Sequence, residues 1–305
     1  ESGLVGDTTQ QVISFGQTYT LTPTLIWDAT FGISKMDQNV IGPDFGTNYG
    51  LTEFGIPGTN SAGTSGPGSS DPLRYSGFPR FNIGLEGIGN SNTWTPVWRK
   101  EASYTFSTNV TKVAGRHEFR AGFDYIRMQL NHWQPEDQNP RGTFDFGNQT
   151  GTTGYASNAW NTYAGFLLGR VSGFGKSVQF MEMSARENQF GVYLNDRWQV
   201  NDKLTLNYGL RYEYYPLMSR ESAGLEQLDL NTWTVSMGGL GNVPKDNGIS
   251  VSKSLFAPRI GAAYRINDDT VLRAGFGRTF NPMPWSRPLR GWYPYTIAYS
   301  NSTNV

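Results

Sequence analysis

The chain has no cysteine, only two histidines and no run of about 18 apolar residues. The missing cysteine excludes disulfides, thiolate metal sites and cysteine nucleophiles, while leaving the redox compartment open. Two histidines, His117 and His132, leave little material for acid–base or metal chemistry. The absent apolar run excludes a membrane-spanning helix. Excess charge of either sign is missing too: 25 basic residues balance 25 acidic ones, so no nucleic-acid surface is expected. Nothing along the 305 residues has the period of an ordinary amphipathic helix.

Glycine is abundant, at 37 residues, and aromatics make up 14% of the chain, both set in recurrent two-residue alternation. The clearest case is Gln189–Tyr214. Phe190, Val192, Leu194, Trp198 and Val200 alternate with Gln189, Gly191, Tyr193, Asn195 and Arg197. After Asn201-Asp202-Lys203, the residues Leu204, Leu206, Tyr208, Leu210, Tyr212 and Tyr214 alternate with Thr205, Asn207, Gly209, Arg211 and Glu213. A strand sends successive side chains to opposite faces, so each arm has an apolar and a polar face. A three-residue turn pairs Val200 with Leu204 and merges the apolar faces of both arms.

Three other hairpins follow the same rule. Phe15, Tyr19 and Leu21 continue into Leu25, Trp27, Ala29, Phe31 and Ile33 around Thr22-Pro23-Thr24. A three-residue turn there pairs Leu21 with Leu25 and Tyr19 with Trp27. In Val97–Val113 and His117–Leu130 the apolar parity differs between arms. Only a two-residue turn at Gly115-Arg116 brings Val110 opposite Ala121 and Phe106 opposite Tyr125. Gly in the first position suits a type II′ turn. Around Asn267-Asp268-Asp269, Ile260, Ala262, Tyr264 and Ile266 pair with Phe276, Ala274, Leu272 and Thr270. Weaker strands are expected near Gly142–Asn148 and Ser172–Met183, with a short helix over Asn161–Gly169. The long connections are Lys35–Pro96, Asn131–Arg141 and Leu217–Ser254, and the first holds the low-complexity stretch Gly58–Ser70.

A soluble sandwich also alternates, with its apolar face in a core. Three features favour a membrane instead. Strands of about 10 to 13 residues exceed the ~5–6 usual in globular sheets. Trp27, Trp98, Trp198, Tyr212 and Tyr214 fall toward strand ends, as interfacial girdles require. The opposite faces carry Arg and Glu along their length. Asp196 breaks the apolar row, and its closeness to the turn places it toward the interface, where a charge costs less.

Tyr193–Tyr215 (YLNDRWQVNDKLTLNYGLRYEYY) resembles the barrel hairpin of TonB-dependent outer-membrane receptors. Gly115–Tyr125, Ser14–Lys35 and Phe256–Pro282 resemble the Oar-like subgroup, as does Tyr163–Gly169 (YAGFLLG). The resemblance implies a Gram-negative outer-membrane location, lipid contact, an unidentified extracellular ligand, and energy from the TonB system through regions outside this chain. The expected fold is all-β: an antiparallel up-and-down transmembrane β-barrel, part of a larger barrel, with short periplasmic turns and long extracellular loops. Residues 1–305 form its barrel region, with about ten strands against the ~22 of that family's barrel. A start at Glu1 rather than Met suggests an internal piece of a longer precursor, with plug and N-terminal domains absent.

No enzymatic role, cofactor or metal is expected. His132 lies near Glu136 and Asp137, which a solvated loop explains better than a metal site. Arg197, Arg211, Glu213, Arg259, Arg265 and Arg273 fall on the predicted lumen faces. They form either an internal ion-pair lattice, the stronger reading, or contacts to a plug or anionic solute. Trp285, Trp292, Tyr293 and Tyr295 form a candidate ligand-binding group, with girdle or loop packing as the stronger reading. The function expected is a receptor or transporter barrel segment that binds or imports a ligand. The alternatives are a structural or surface-interaction protein anchored by the barrel, and a small self-contained pore.

Overall fold

Alternating side chains on a backbone with few breakers produce very long strands. The computed structural model describes residues 3–61, 72–135, 138–147, 158–179, 182–221, 225–282 and 296–302. Strands β1 (Val5–Thr22) and β2 (Leu25–Ile41) come first, and the short β3 (Arg80–Asn82) and β4 (Gly87–Ile88) follow. Next are β5 (Val97–Ala114), β6 (His117–Trp133), β7 (Thr143–Asp145) and β8 (Gly173–Gln179). Then come β9 (Met183–Gln199), β10 (Leu204–Tyr214), β11 (Glu226–Asp229) and β12 (Thr234–Met237). The last are β13 (Leu255–Arg265), β14 (Val271–Gly277) and β15 (Thr296–Ser302). Helices α1 (Tyr49–Thr52) and α2 (Ala159–Leu167) lie in the long connections.

Eight strands form one antiparallel sheet in the order β1-β2-β5-β6-β9-β10-β13-β14. Up-and-down order with four hairpins puts all four short turns at one end. The sheet is open among the described residues, with β1 and β14 at its edges. Five strands run to 17 or 18 residues, longer than the alternation alone implies.

Three of the four hairpin registers match the expected ones. Val110 pairs with Ala121 and Phe106 with Tyr125 around Gly115, whose φ is +60°, while Arg116 keeps a negative φ. The Val200 amide donates to the Leu204 carbonyl at 3.0 Å, and Ile260 pairs with Phe276. The first hairpin is a correction. Tyr19 does face Trp27, but a bulge between Thr20 and Thr22 puts Thr22, not Leu21, opposite Leu25. The extra residue leaves the apolar faces in register and shortens the turn to Pro23-Thr24.

One face of this sheet is apolar and uncovered near the short turns. Phe15, Phe31, Phe106, Phe119, Leu194, Leu210, Ile260 and Phe276 are all exposed there. Along β2 the apolar stretch runs from Leu25 to Ile33, and on the same face Lys35, Asp37 and Asn39 then take over. Those nine residues span about 30 Å of strand, or ~23 Å of height at a ~40° tilt. That is the height of a lipid-facing band. Beyond it the strands continue into a polar collar that includes Lys100, Asn131 and Arg186.

The buried core sits at the far end, among the long connections. A second sheet, in the order β15-β8-β7-β3-β4, gathers segments from several of them. Ile83, Phe144 and Phe146 pack there against Phe81, Tyr163 and Phe166. Helix α2 begins at Asn158, whose side chain accepts a 2.9 Å hydrogen bond from the Asn161 amide. Such a cap fixes where a short helix starts. Trp98 and Trp133, 5.2 Å apart, join the long strands to this layer, with Tyr75 edge-on to Trp133. On the polar face, Leu130, Met183 and Ala185 are covered by Met218 and Leu225.

Candidate functional site

The polar face of β5–β13 carries charged side chains linked across several strands. Its geometry follows from register between hairpins. Asp28, Asn109, Gly122, Tyr193 and Arg211 fall in one cross-strand row. The Asn109 amide donates to Asp28 at 2.8 Å, and the Tyr193 hydroxyl donates to Asn109. The Arg211 guanidinium lies over the Tyr193 ring, 6.0 Å from its centre, and donates to Asp124 at 2.7 Å and to Glu213 at 2.8 Å. Arg197 pairs more loosely with Glu118, at 3.7 Å.

Glycine makes this flat lattice possible. A Cβ on Gly122 would stand 2.5 Å from the Tyr193 ring, and one on Gly191 would collide with the Arg211 guanidinium. The bare backbone lets both side chains lie across a neighbouring strand.

The predicted charged residues therefore separate into groups. Arg197, Arg211 and Glu213 belong to the ion-pair lattice. Arg265 is at the turn rim, donating to the Asp202 carbonyl at 3.2 Å. Arg259 and Arg273 lie on the same face, and among the described residues neither has an ion-pair partner. The aromatic group Trp285, Trp292, Tyr293 and Tyr295 lies outside the described residues.

Sequence reasoning missed Asp124, Asn109 and Asp28 as lattice members, and did not single out Arg120 on the same face. Parity puts them on the polar face, but parity within one hairpin cannot say which residue of the next hairpin stands opposite.

Two histidines receive definite places. His132 is buried at the end of β6, with Nε2 2.9 Å from Gln134 Oε1, while Glu136 and Asp137 lie outside the described residues. His117 Nδ1 lies 2.7 Å from Asp196, and its ring stacks on Phe119 and Trp198. Asp196 also accepts from the Tyr208 hydroxyl at 2.7 Å and is only 4% exposed. The acid in the apolar row is therefore partnered and covered by rings, rather than relying on access to interfacial water.

Among the described residues of the second sheet's layer, Arg141 and Lys176 are buried cations. Arg141, 1% exposed, donates from Nε to Asn139 at 2.9 Å and from Nη2 to the Asn92 carbonyl at 2.8 Å. Burial pulls its pKa down to about 10, against the Asp44 carboxylate, so it stays charged at neutral pH. Lys176 donates to the Gly58 and Ser61 carbonyls beside the Tyr75 ring. Burial pushes its pKa down to about 8. Both act as pins between connections far apart in sequence. Among the described residues no cluster of three or more His, Asp or Glu side chains is placed to hold a metal ion.

Comparison with known proteins adds three findings. A family model described as an outer membrane beta barrel domain matches residues 2–305. No curated protein matches the chain. Similar solved structures include the ferric-catecholate import receptor Fiu from E. coli K12. Its open form is 12% identical with a TM-score of 0.42, covering 89% of this chain and 35% of that one. The closed form gives 12%, 0.40, 86% and 31%, respectively. FpvAI in its complex with pyocin S2 gives 12%, 0.35, 89% and 34%. The chain spans about a third of the length of these receptors.

Proposed function

This chain belongs to the outer membrane beta barrel domain family, and from that premise we propose that it forms part of the wall of a TonB-dependent receptor that binds or imports an extracellular ligand without covalent chemistry. In such a barrel the exposed apolar band faces lipid, and the ion-pair lattice lines the lumen. The observation that carries the reading is the folded layer at the long-loop end. Two strands and one helix from each of the β2–β5 and β6–β9 connections, pinned by Arg141 and Lys176, build a shaped mouth rather than loose loops. Shaped loops on a rigid scaffold suit ligand recognition.

The edges at β1 and β14, open among the described residues, add a structural argument. Unpaired backbone groups in hydrocarbon cost several kcal/mol each, so in the proposed barrel both edges are paired with other strands. That fits a large receptor barrel.

Cells with and without the full-length gene test the proposal. Depletion of solutes from the medium is followed by mass spectrometry, with the proton-motive force intact or collapsed. The expected result is a compound depleted only when both gene and proton-motive force are present. Depletion that survives collapse indicates a passive pore. No gene-dependent depletion indicates an anchor.

A further inference from the structure

Arg120, Asn195, Gly209 and Arg259 form one cross-strand row on the polar face, just turn-ward of the Arg211 lattice. Together with Arg211 they line a cleft of about 380 Å³. The carboxylates around this row are already engaged: Asp28 with the Asn109 amide, Glu118 with Arg197, and Asp124 and Glu213 with Arg211. Among the described residues, Arg120 and Arg259 have no acid or other hydrogen-bond partner. Arg273, on the adjacent strand opposite Ala263 and so four residues closer to the turn than Arg259, is equally without a counter-charge.

From this we infer that the row is a binding site for an oxyanion-bearing solute, with carboxylate or phosphate groups, on its way through the lumen. Outer members of a four-strand row stand about 14 Å apart at the backbone. Gly209 keeps the floor between them low, and the Asn195 side chain lies across it. Two arginines leaning inward thus offer planar forks of N–H donors to one anion, with the Asn195 amide beneath. Guanidinium forks match carboxylate and phosphate geometry. Unneutralised cations on one wall also raise the local concentration of anions. The inference deepens the receptor reading and rests on this face being the lumen.

The test uses the full-length protein in detergent micelles. Citrate or pyrophosphate is titrated at constant ionic strength, and stabilisation against thermal unfolding is followed. Saturable stabilisation is expected, with the half-saturating concentration rising about tenfold or more in Arg120→Gln/Arg259→Gln. The rim variant Arg116→Gln/Arg265→Gln, which removes the same charge elsewhere, is expected to behave as wild type. Equal loss in both variants, or no saturable effect in wild type, overturns the proposal. A silent wild type whose row variant is also less stable without added anion identifies a carboxylate of the same polypeptide as the occupant, and this too overturns it. Cysteine at Thr111 or Asn207 reports separately on the face. Failure of a membrane-impermeant maleimide to label it would remove the lumen assignment itself, whatever citrate does.

Discussion

At the scale of single residues, the polar wall depends on where side chains are missing. Gly122→Val places a branched side chain where Tyr193 and Asn109 now meet. It should destabilise the barrel by ~1–3 kcal/mol, as overpacking does. Gly261→Val, on the same face, is the control, because a Cβ added there meets nothing closer than the Ala274 carbonyl oxygen at 3.8 Å. Urea midpoints for refolding into micelles measure the difference. Equal midpoints for the two variants would show that the lattice does not require a flat Tyr193.

Lys176 gives a pH signature at the same scale. Its folded pKa, pushed by burial to about 8, lies below the ordinary 10.5. Below pH 8 both states hold the proton, so the group adds no slope. Between pH 8 and 10.5 the unfolded chain binds more protons, and its contribution to stability rises with pH. The slope approaches ~1.4 kcal/mol per pH unit. Hydrogen exchange at residues 58–61, compared between wild type and Lys176→Met from pH 7 to 10, should show a protection difference that grows above pH 8. A constant difference contradicts the assignment.

At the scale of elements, turns decide register. Gly115 has φ +60° and open space around it, so a side chain there meets backbone strain but no clash. Gly115→Val should therefore cost about 1–2 kcal/mol, while Arg116→Ala leaves the register intact. Refolding midpoints for the β5–β6 hairpin variants measure this. The hairpins were legible because a one-residue slip would turn a whole apolar row over. The bulge at Leu21 was not legible, since both arms satisfy parity with or without it. Strand length was only partly legible: alternation marks the lipid-facing stretch, but above it the same strands carry polar residues on both faces, as at Lys35–Asn39. The Arg211 site was half legible. Its polar face follows from parity, but its partner Asp124 lies two strands away, across a junction between hairpins that no turn specifies.

At the scale of the whole molecule, the absence of cysteine makes orientation directly testable. Asp202→Cys, in a short turn, should react with an impermeant maleimide only after the outer membrane is permeabilised. Lys245→Cys, in the Leu217–Ser254 connection, should react in intact cells. The reverse pattern would invert the barrel and move the folded layer to the periplasm.

By itself the sequence determined the alternation, the four tight turns, the apolar band and the family, because these depend on period and on residues close along the chain. Tertiary structure decided which charges are paired and which are left without an acid. It also decided that Asp196 is shielded by His117 and Tyr208, and that distant connections fold into one layer. Those outcomes depend on register between hairpins and on contacts made across 40 to 120 residues of chain, where closing each loop must be offset by packing that no local pattern records.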